Sequence, residues 1–197
     1  EAFRNIARGA MDVCICGGAE SKANPMEIVR ASLMERLVTE GQADPASACR
    51  PFAADRRGTV ASEGSGLVVL ESAEHAKGRG ARIYAELVGF GAGGNVQSWS
   101  EPDPTGDSFA KAVQSAMQDA AMSPDEIDLV VPFGSGIVSH DAAELRGWRT
   151  ALGDKMTDMP AVATKGLVGN NGAGSGAIDF CTMVMALHRN TVQPSAN

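Results

Sequence analysis

The sequence predicts an α/β protein with a mainly parallel sheet, and two observations carry that prediction. Short, almost continuously apolar runs such as residues 66–72 (GLVVLES) and 127–134 (IDLVVPFG) alternate with stretches of helical periodicity. Strands that are apolar on both faces are the pattern of a sheet covered by helices on each side. A chain of 197 residues with 44% hydrophobic and 21% charged residues is also long enough to bury a sizeable core.

The elements follow in order. Residues 1–8 place Phe3, Ile6 and Ala7 at helical spacing, and Gly9 closes that helix. Residues 11–18 (MDVCICGG) read as a short buried strand. A helix over 25–37 starts on Pro25 after Asn24, with Met26, Val29, Leu33 and Leu37 on one face. Residues 39–58 form a long polar connection. A strand at 66–72, a short charged helix over 73–81 and a strand running into glycines at 83–94 follow. The second half repeats the alternation: a helix over 108–121, a strand at 127–134, a helix over 141–152 and a strand at 160–164. A glycine-rich stretch then leads into residues 177–189 (AIDFCTMVMALHR), a helix apolar on most of its surface.

Charge and cysteine content exclude several classes of function. The formal charge of −7, with its acidic excess gathered in residues 101–160, makes a poor general nucleic-acid binder. The basic groups Arg50/Arg56/Arg57 and Lys77/Arg79/Arg82 read as solvated surface. Cys14, Cys16, Cys49 and Cys181 lack metal-ligand spacing, so no metal site is expected, and they read as reduced core residues of a cytoplasmic protein. No apolar run reaches the roughly 18 residues of a membrane span. The chain opens without methionine inside a helical pattern, so a processed or truncated start is expected. His75, His140 and His188 carry the reading of surface or helix-cap residues.

The stretch TKGLVGNNGAGSGA, residues 164–177, is the strongest local signal. A phosphate-binding P-loop needs its lysine at the helix end, as in GxxxxGK followed by Ser or Thr, and Lys165 stands at the strand end. Gly172, Gly174 and Ala177 fit the dinucleotide pattern G-x-G-x-x-A, but no acidic residue follows Asp179 to hold a ribose.

A third reading rests on residues 50–91 (RPFAADRRGTVASEGSGLVVLESAEHAKGRGARIYAELVGFG), the GGAE at 17–20, the EG-x-G at 63–66 and the TK-x-x-x-G at 164–169. In this order they resemble the elongating type of β-ketoacyl-acyl-carrier-protein synthase, along the whole chain. The resemblance implies the thiolase fold, two similar βαβ halves with mixed five-stranded sheets packed face to face, incomplete here at both ends. Residues 1–82 would end the first half, and 83–197 would supply most of the second.

A decarboxylating Claisen condensation needs a thiolate to carry the acyl group and donors to stabilise the developing oxyanion. The resemblance puts the nucleophilic cysteine a few residues before Glu1. It also puts Phe133 at the position of the first catalytic histidine and Asn170 at that of the second. Phenylalanine donates no hydrogen bond, whereas asparagine does. Lys165, Glu144 and Asn170 fall on catalytic positions, Phe133, Ser135 and Ile137 on a substrate-binding stretch, and Asp141 on a structural one. The one-turn spacing of Asp141 and Glu144 lets either meet Lys165.

The expectation is therefore an impaired or chain-length-factor-like ketosynthase subunit, inactive as given. It would need no cofactor, and its partners would be an acyl carrier protein and a second ketosynthase in a homodimer or heterodimer. Two alternatives stay open: an active synthase whose atypical site uses Asn170, His140 or a water, and a non-catalytic dimerisation or acyl-binding module.

Overall fold

The computed structural model describes residues 1–39, 44–95, 98 and 100–194. Positions 40–43 of the polar connection lie outside the described residues. Helix α1 (Ala2–Ala7) leads into strand β1 (Val13–Ser21), helix α2 (Pro25–Leu33), strand β2 (Glu63–Glu71) and helix α3 (Ala73–Gly78). Helices α4 (Asp107–Asp119), α5 (Val138–Leu152), α6 (Lys165–Val168) and α7 (Ser175–Arg189) follow.

Local chemistry explains the helix ends. The Asn24 side chain accepts the Glu27 amide at 3.1 Å and Pro25 needs no donor in the first turn, so α2 starts where its sequence signals fall. It stops before the expected Leu37 because Glu35 takes a left-handed φ of 53°. Part of the glycine-rich stretch after Thr164 is helical as well, as α6 and a single 3-10 turn at Gly172–Gly174.

The expectation of a mainly parallel sheet is corrected. β1 and β2 pair antiparallel, with Ile15 opposite Val69 and Cys16 opposite Val68, and this is the one ladder among the described residues. The five-stranded sheets implied by the resemblance are not formed within them. The predicted strands at 127–134 and 160–164 do run side by side in parallel, but they share a single bridge, Val130 to Ala161. There the Val130 amide donates to Pro160 O and the Val162 amide to Val130 O, both at 3.0 Å. An apolar period of two specifies extended backbone but leaves the hydrogen-bonding neighbour to tertiary structure.

Residues 84–92 show the same effect. Inward and outward positions alternate as in a strand, without a ladder partner among the described residues. Gly89, Gly91 and Gly93 instead face the backbone of α4, where a Cβ on Gly91 would lie 2.0 Å from Ala112 O. Gly91→Ala is expected to destabilise the protein by about 2–3 kcal/mol through overpacking. Gly94→Ala, with open space around its Cβ, should be neutral or slightly stabilising. Urea denaturation of the two variants checks the contrast, and equal effects would refute the close approach.

Two packing regions position the site. Val130, Ala151, Leu152 and Met159 form a buried cluster between α4, α5 and the paired segments, joined by partly buried Val113 and Trp148. α7 packs on the β1–β2 pair, reaching it closely because a Cβ on Gly66 would meet the Ala177 backbone at 2.6 Å. Contrary to the expectation for residues 177–189, α7 buries only Ser175 and Asp179 fully, since it is covered along the face that meets the sheet. The other face of the sheet presents Ile15 and Leu67, 71% and 67% exposed. No described helix is long and apolar enough to cross a membrane.

The cysteines also differ from the reading as core residues. None of the four is in a disulfide, but Cys14, Cys16 and Cys181 are half-buried, and Cys49 alone is buried, its thiol pushed up by burial. Arg56 is no solvated surface group. Its side chain is largely buried, with Nε 3.6 Å from Asp141.

Candidate functional site

Asp141 and Glu144 lie one turn apart at the start of α5 and aim at the same loop. Asp141 accepts hydrogen bonds from the Ser135 amide (2.8 Å), the Ser135 hydroxyl (3.0 Å), the Gly136 amide (3.1 Å) and the Phe52 amide (2.9 Å). Glu144 accepts from the Phe133 and Gly134 amides at 2.6 and 2.9 Å, and from the Trp148 indole at 3.3 Å. Two carboxylates thus satisfy four consecutive backbone amides, from Phe133 to Gly136. Burial pushes the Glu144 carboxyl above its ordinary range, while the bonds from Gly134, Phe133 and Trp148 pull the other way.

Neither carboxylate pairs with Lys165, which corrects the expectation drawn from their spacing. Spacing on one helix fixes which face two groups share, not which distant group meets that face. The fully buried Lys165 ammonium donates to Asp179 Oδ2 at 2.6 Å, and the Thr164 hydroxyl donates to the same carboxylate. Lys165 Nζ also sits 4.5 Å from the centroid of the Phe133 ring, a cation–π contact in a desolvated setting. The aromatic residue at the expected histidine position therefore still meets this lysine, through its ring face.

Asp179 was missed as a site residue. Its signal was available, because it is a lone carboxylate inside an otherwise apolar helix, and a buried charge requires a partner. Asn171 was missed too. It is 1% exposed, with its amide nitrogen 2.7 Å from the Ser62 hydroxyl and its backbone amide 3.0 Å from Ser175 Oγ.

Phe133, Ile137 and Asn170 line one cleft of about 380 Å³, together with residues of α2 and the turn at Gly172–Gly174. Phe133 is 38% exposed there. Asn170 is fixed at its backbone, its amide donating to Val60 O at 2.8 Å and its carbonyl accepting from Ser62 N at 3.1 Å. Its side-chain Oδ1 accepts from the Gly172 amide at 3.0 Å, leaving Nδ2 without a bond to any described residue. Ser135 has no exposed surface and lies outside the cleft, so it braces the loop, its hydroxyl also accepting the Ile137 amide at 3.1 Å. Lys165, Asp141 and Glu144 are likewise buried behind the cleft rather than on its wall.

His140 departs from its reading as a surface or cap residue. It lines the same cleft, with Nε2 3.6 Å from Glu101 Oε2. No described group of His, Cys, Asp and Glu side chains is arranged to hold a metal ion.

The loop clamp, the buried lysine behind it and the cleft in front of it form one site, and comparison with known proteins gives it a family. Residues 1–76 match the family model for the N-terminal domain of β-ketoacyl synthase, and residues 84–197 match the model for its C-terminal domain. The chain belongs to the β-ketoacyl synthase family, and its α/β architecture is the thiolase fold of that family.

Among its relatives is the 3-oxoacyl-acyl-carrier-protein synthase 2 of Vibrio cholerae, 36% identical over all of this chain and 47% of the relative. A putative polyketide β-ketoacyl synthase 1 of Streptomyces cyaneus is 35% identical, over all of this chain and 46% of the relative. One similar solved structure is a type II PKS acyl-carrier protein in complex with its ketosynthase bound to the hexaketide. It has TM-score 0.95 at 29% identity and covers 98% of this chain and 48% of that one. Another is the ishigamide ketosynthase/chain length factor, with TM-score 0.86 at 29% identity over 98% and 45% of the two chains. The chain spans about half the length of the curated relatives it matches.

Proposed function

We propose that the chain is part of a ketosynthase-fold subunit that receives acyl groups from an acyl carrier protein and pairs with a second ketosynthase, in the manner of a chain-length factor, without condensing them itself. One observation carries this reading. Phe133 and Asn170, the residues at the two histidine positions of the resemblance, line one cleft, and the first of them offers no hydrogen bond to a developing oxyanion. The relatives act in 3-oxoacyl-acyl-carrier-protein and polyketide synthesis, and the similar structures include a carrier-protein complex and a ketosynthase paired with a chain length factor.

In this reading Lys165, Asp141 and Glu144 hold the Phe133–Gly136 loop in shape, and Phe133 and Ile137 meet the acyl chain. Asn170 supplies the remaining amide donor. The protein alone, given acyl and malonyl carrier proteins, is expected to form no 3-oxoacyl product, whereas a mixture with a related active ketosynthase does so. Condensation by the protein without a partner would sink the proposal.

A further inference from the structure

The cleft holds a second set of polar groups that the loop clamp does not use. His140 enters it from α5, and its Nε2 faces Glu101 Oε2 at 3.6 Å. Glu101 is itself tied down, accepting from the Ser139 hydroxyl at 3.1 Å and from Arg36 at 3.3 Å. Burial opposes the charge on Glu101, but the bonds from Ser139 and Arg36 and the nearby His140 bring its carboxyl below the usual range. A carboxylate is therefore in place behind one nitrogen of the imidazole. The other nitrogen, Nδ1, bonds to no described residue, and His140 is a wall residue of the cleft.

We propose that His140, oriented by Glu101, is a general base that activates water against an acyl thioester held in this cleft, with Asn170 Nδ2 as the donor to the carbonyl oxygen. The proposal rests on the reading that the cleft receives acyl thioesters. It names a different reaction, hydrolysis, which needs neither of the replaced histidines. His140 Nδ1 takes a proton from water, and the water oxygen adds to the thioester carbon. The carbonyl oxygen becomes an oxyanion facing Asn170 Nδ2. Collapse breaks the C–S bond, and the departing thiolate recovers the proton from the imidazolium, leaving a carboxylic acid and a thiol. A carboxylate behind one ring nitrogen with a free second nitrogen is the arrangement of a base and its orienting partner, and such contacts are often long before a ligand tightens them.

The charge around the ring sets the pH range. Burial is the largest influence and pushes the His140 pKa below 6.5, Arg36 adds to that, and Glu101 and Asp141 oppose it. Lys22 and Arg30 also line the cleft, but both are paired, Lys22 with Glu20 and Glu27, and Arg30 with Glu27. The base is the neutral imidazole, so the rate rises with pH through the His140 pKa and levels off by neutrality.

The test is release of free thiol from octanoyl N-acetylcysteamine thioester, with binding of the same probe measured separately. Thiol release above buffer is expected, and His140→Gln should bind the probe unchanged and release thiol about 100-fold more slowly. Glu101→Gln removes a group that favours the imidazolium, so the inflection should move to lower pH. An inflection that stays in place would show that the titrating group is not the His140 that faces Glu101. His75→Gln, on the far surface beside Glu71, should leave the rate unchanged. Thiol release by His140→Gln at the parent rate would overturn the inference. So would probe that binds without being cleaved, an outcome that leaves the acyl-cleft reading standing. Failure of the probe to bind would remove both.

Discussion

Asp141→Ala should destabilise the protein by about 3–5 kcal/mol, one of the two largest effects expected of any single substitution here. The carboxylate is 1% exposed and accepts from three backbone amides and one hydroxyl, with the Arg56 guanidinium 3.6 Å away. Removing it strands those donors and one largely buried cation without their acceptor. In a chain of this length the loss corresponds to a fall of roughly 10 °C or more in Tm. Asp141→Asn keeps the shape and one acceptor oxygen, so it should lose about half as much. Thermal and urea unfolding of the two variants measure this directly, and a loss below about 1 kcal/mol for the alanine variant would show that the loop does not depend on the clamp.

Lys165→Met should cost a comparable amount, about 3–5 kcal/mol, for a different reason. The ammonium is fully buried and its partner Asp179 nearly so, and the pair is joined at 2.6 Å. Taking away the cation leaves a carboxylate in an apolar helix, held only by the Thr164 hydroxyl. Asp179→Leu alone leaves the ammonium against the Phe133 ring face, which compensates it only in part. The double variant Lys165→Met/Asp179→Leu should recover much of either loss, because an apolar pair of similar volume carries no desolvation cost. A double-mutant cycle reads the coupling, and additive losses in the two single variants would refute a direct pair.

Both expectations concern groups whose residue types were legible while their partners were not. Asp141 and Glu144 were placed on one helix face from a spacing of three, and they do share it. The spacing said nothing of the four loop amides they hold, since those belong to a segment that packing brings over the start of α5. Lys165 was visible as a lone cation before a glycine-rich stretch. Its partner lies fourteen residues further on in α7, and only the way α6 and α7 are brought together makes the pair. His140 shows the same limit from the other side. As one histidine before a helix it reads first as a surface or cap residue and only in one alternative as a site residue, and its place in the cleft comes from Glu101 and Asn170 being brought near it from distant segments.

Reading along the chain was enough for the order of helices and extended segments and for the family resemblance. These are properties of local periodicity, of capping groups and of motifs read along the chain. Tertiary structure alone decided that β1 and β2 pair antiparallel, that the 127–134 and 160–164 segments share a single bridge, and that Lys165 meets Asp179 rather than Glu144. A backbone hydrogen bond or a buried charge is satisfied by whatever group packing brings within about 3 Å. That choice depends on how the whole chain closes in space, which the spacing of residues along it does not encode.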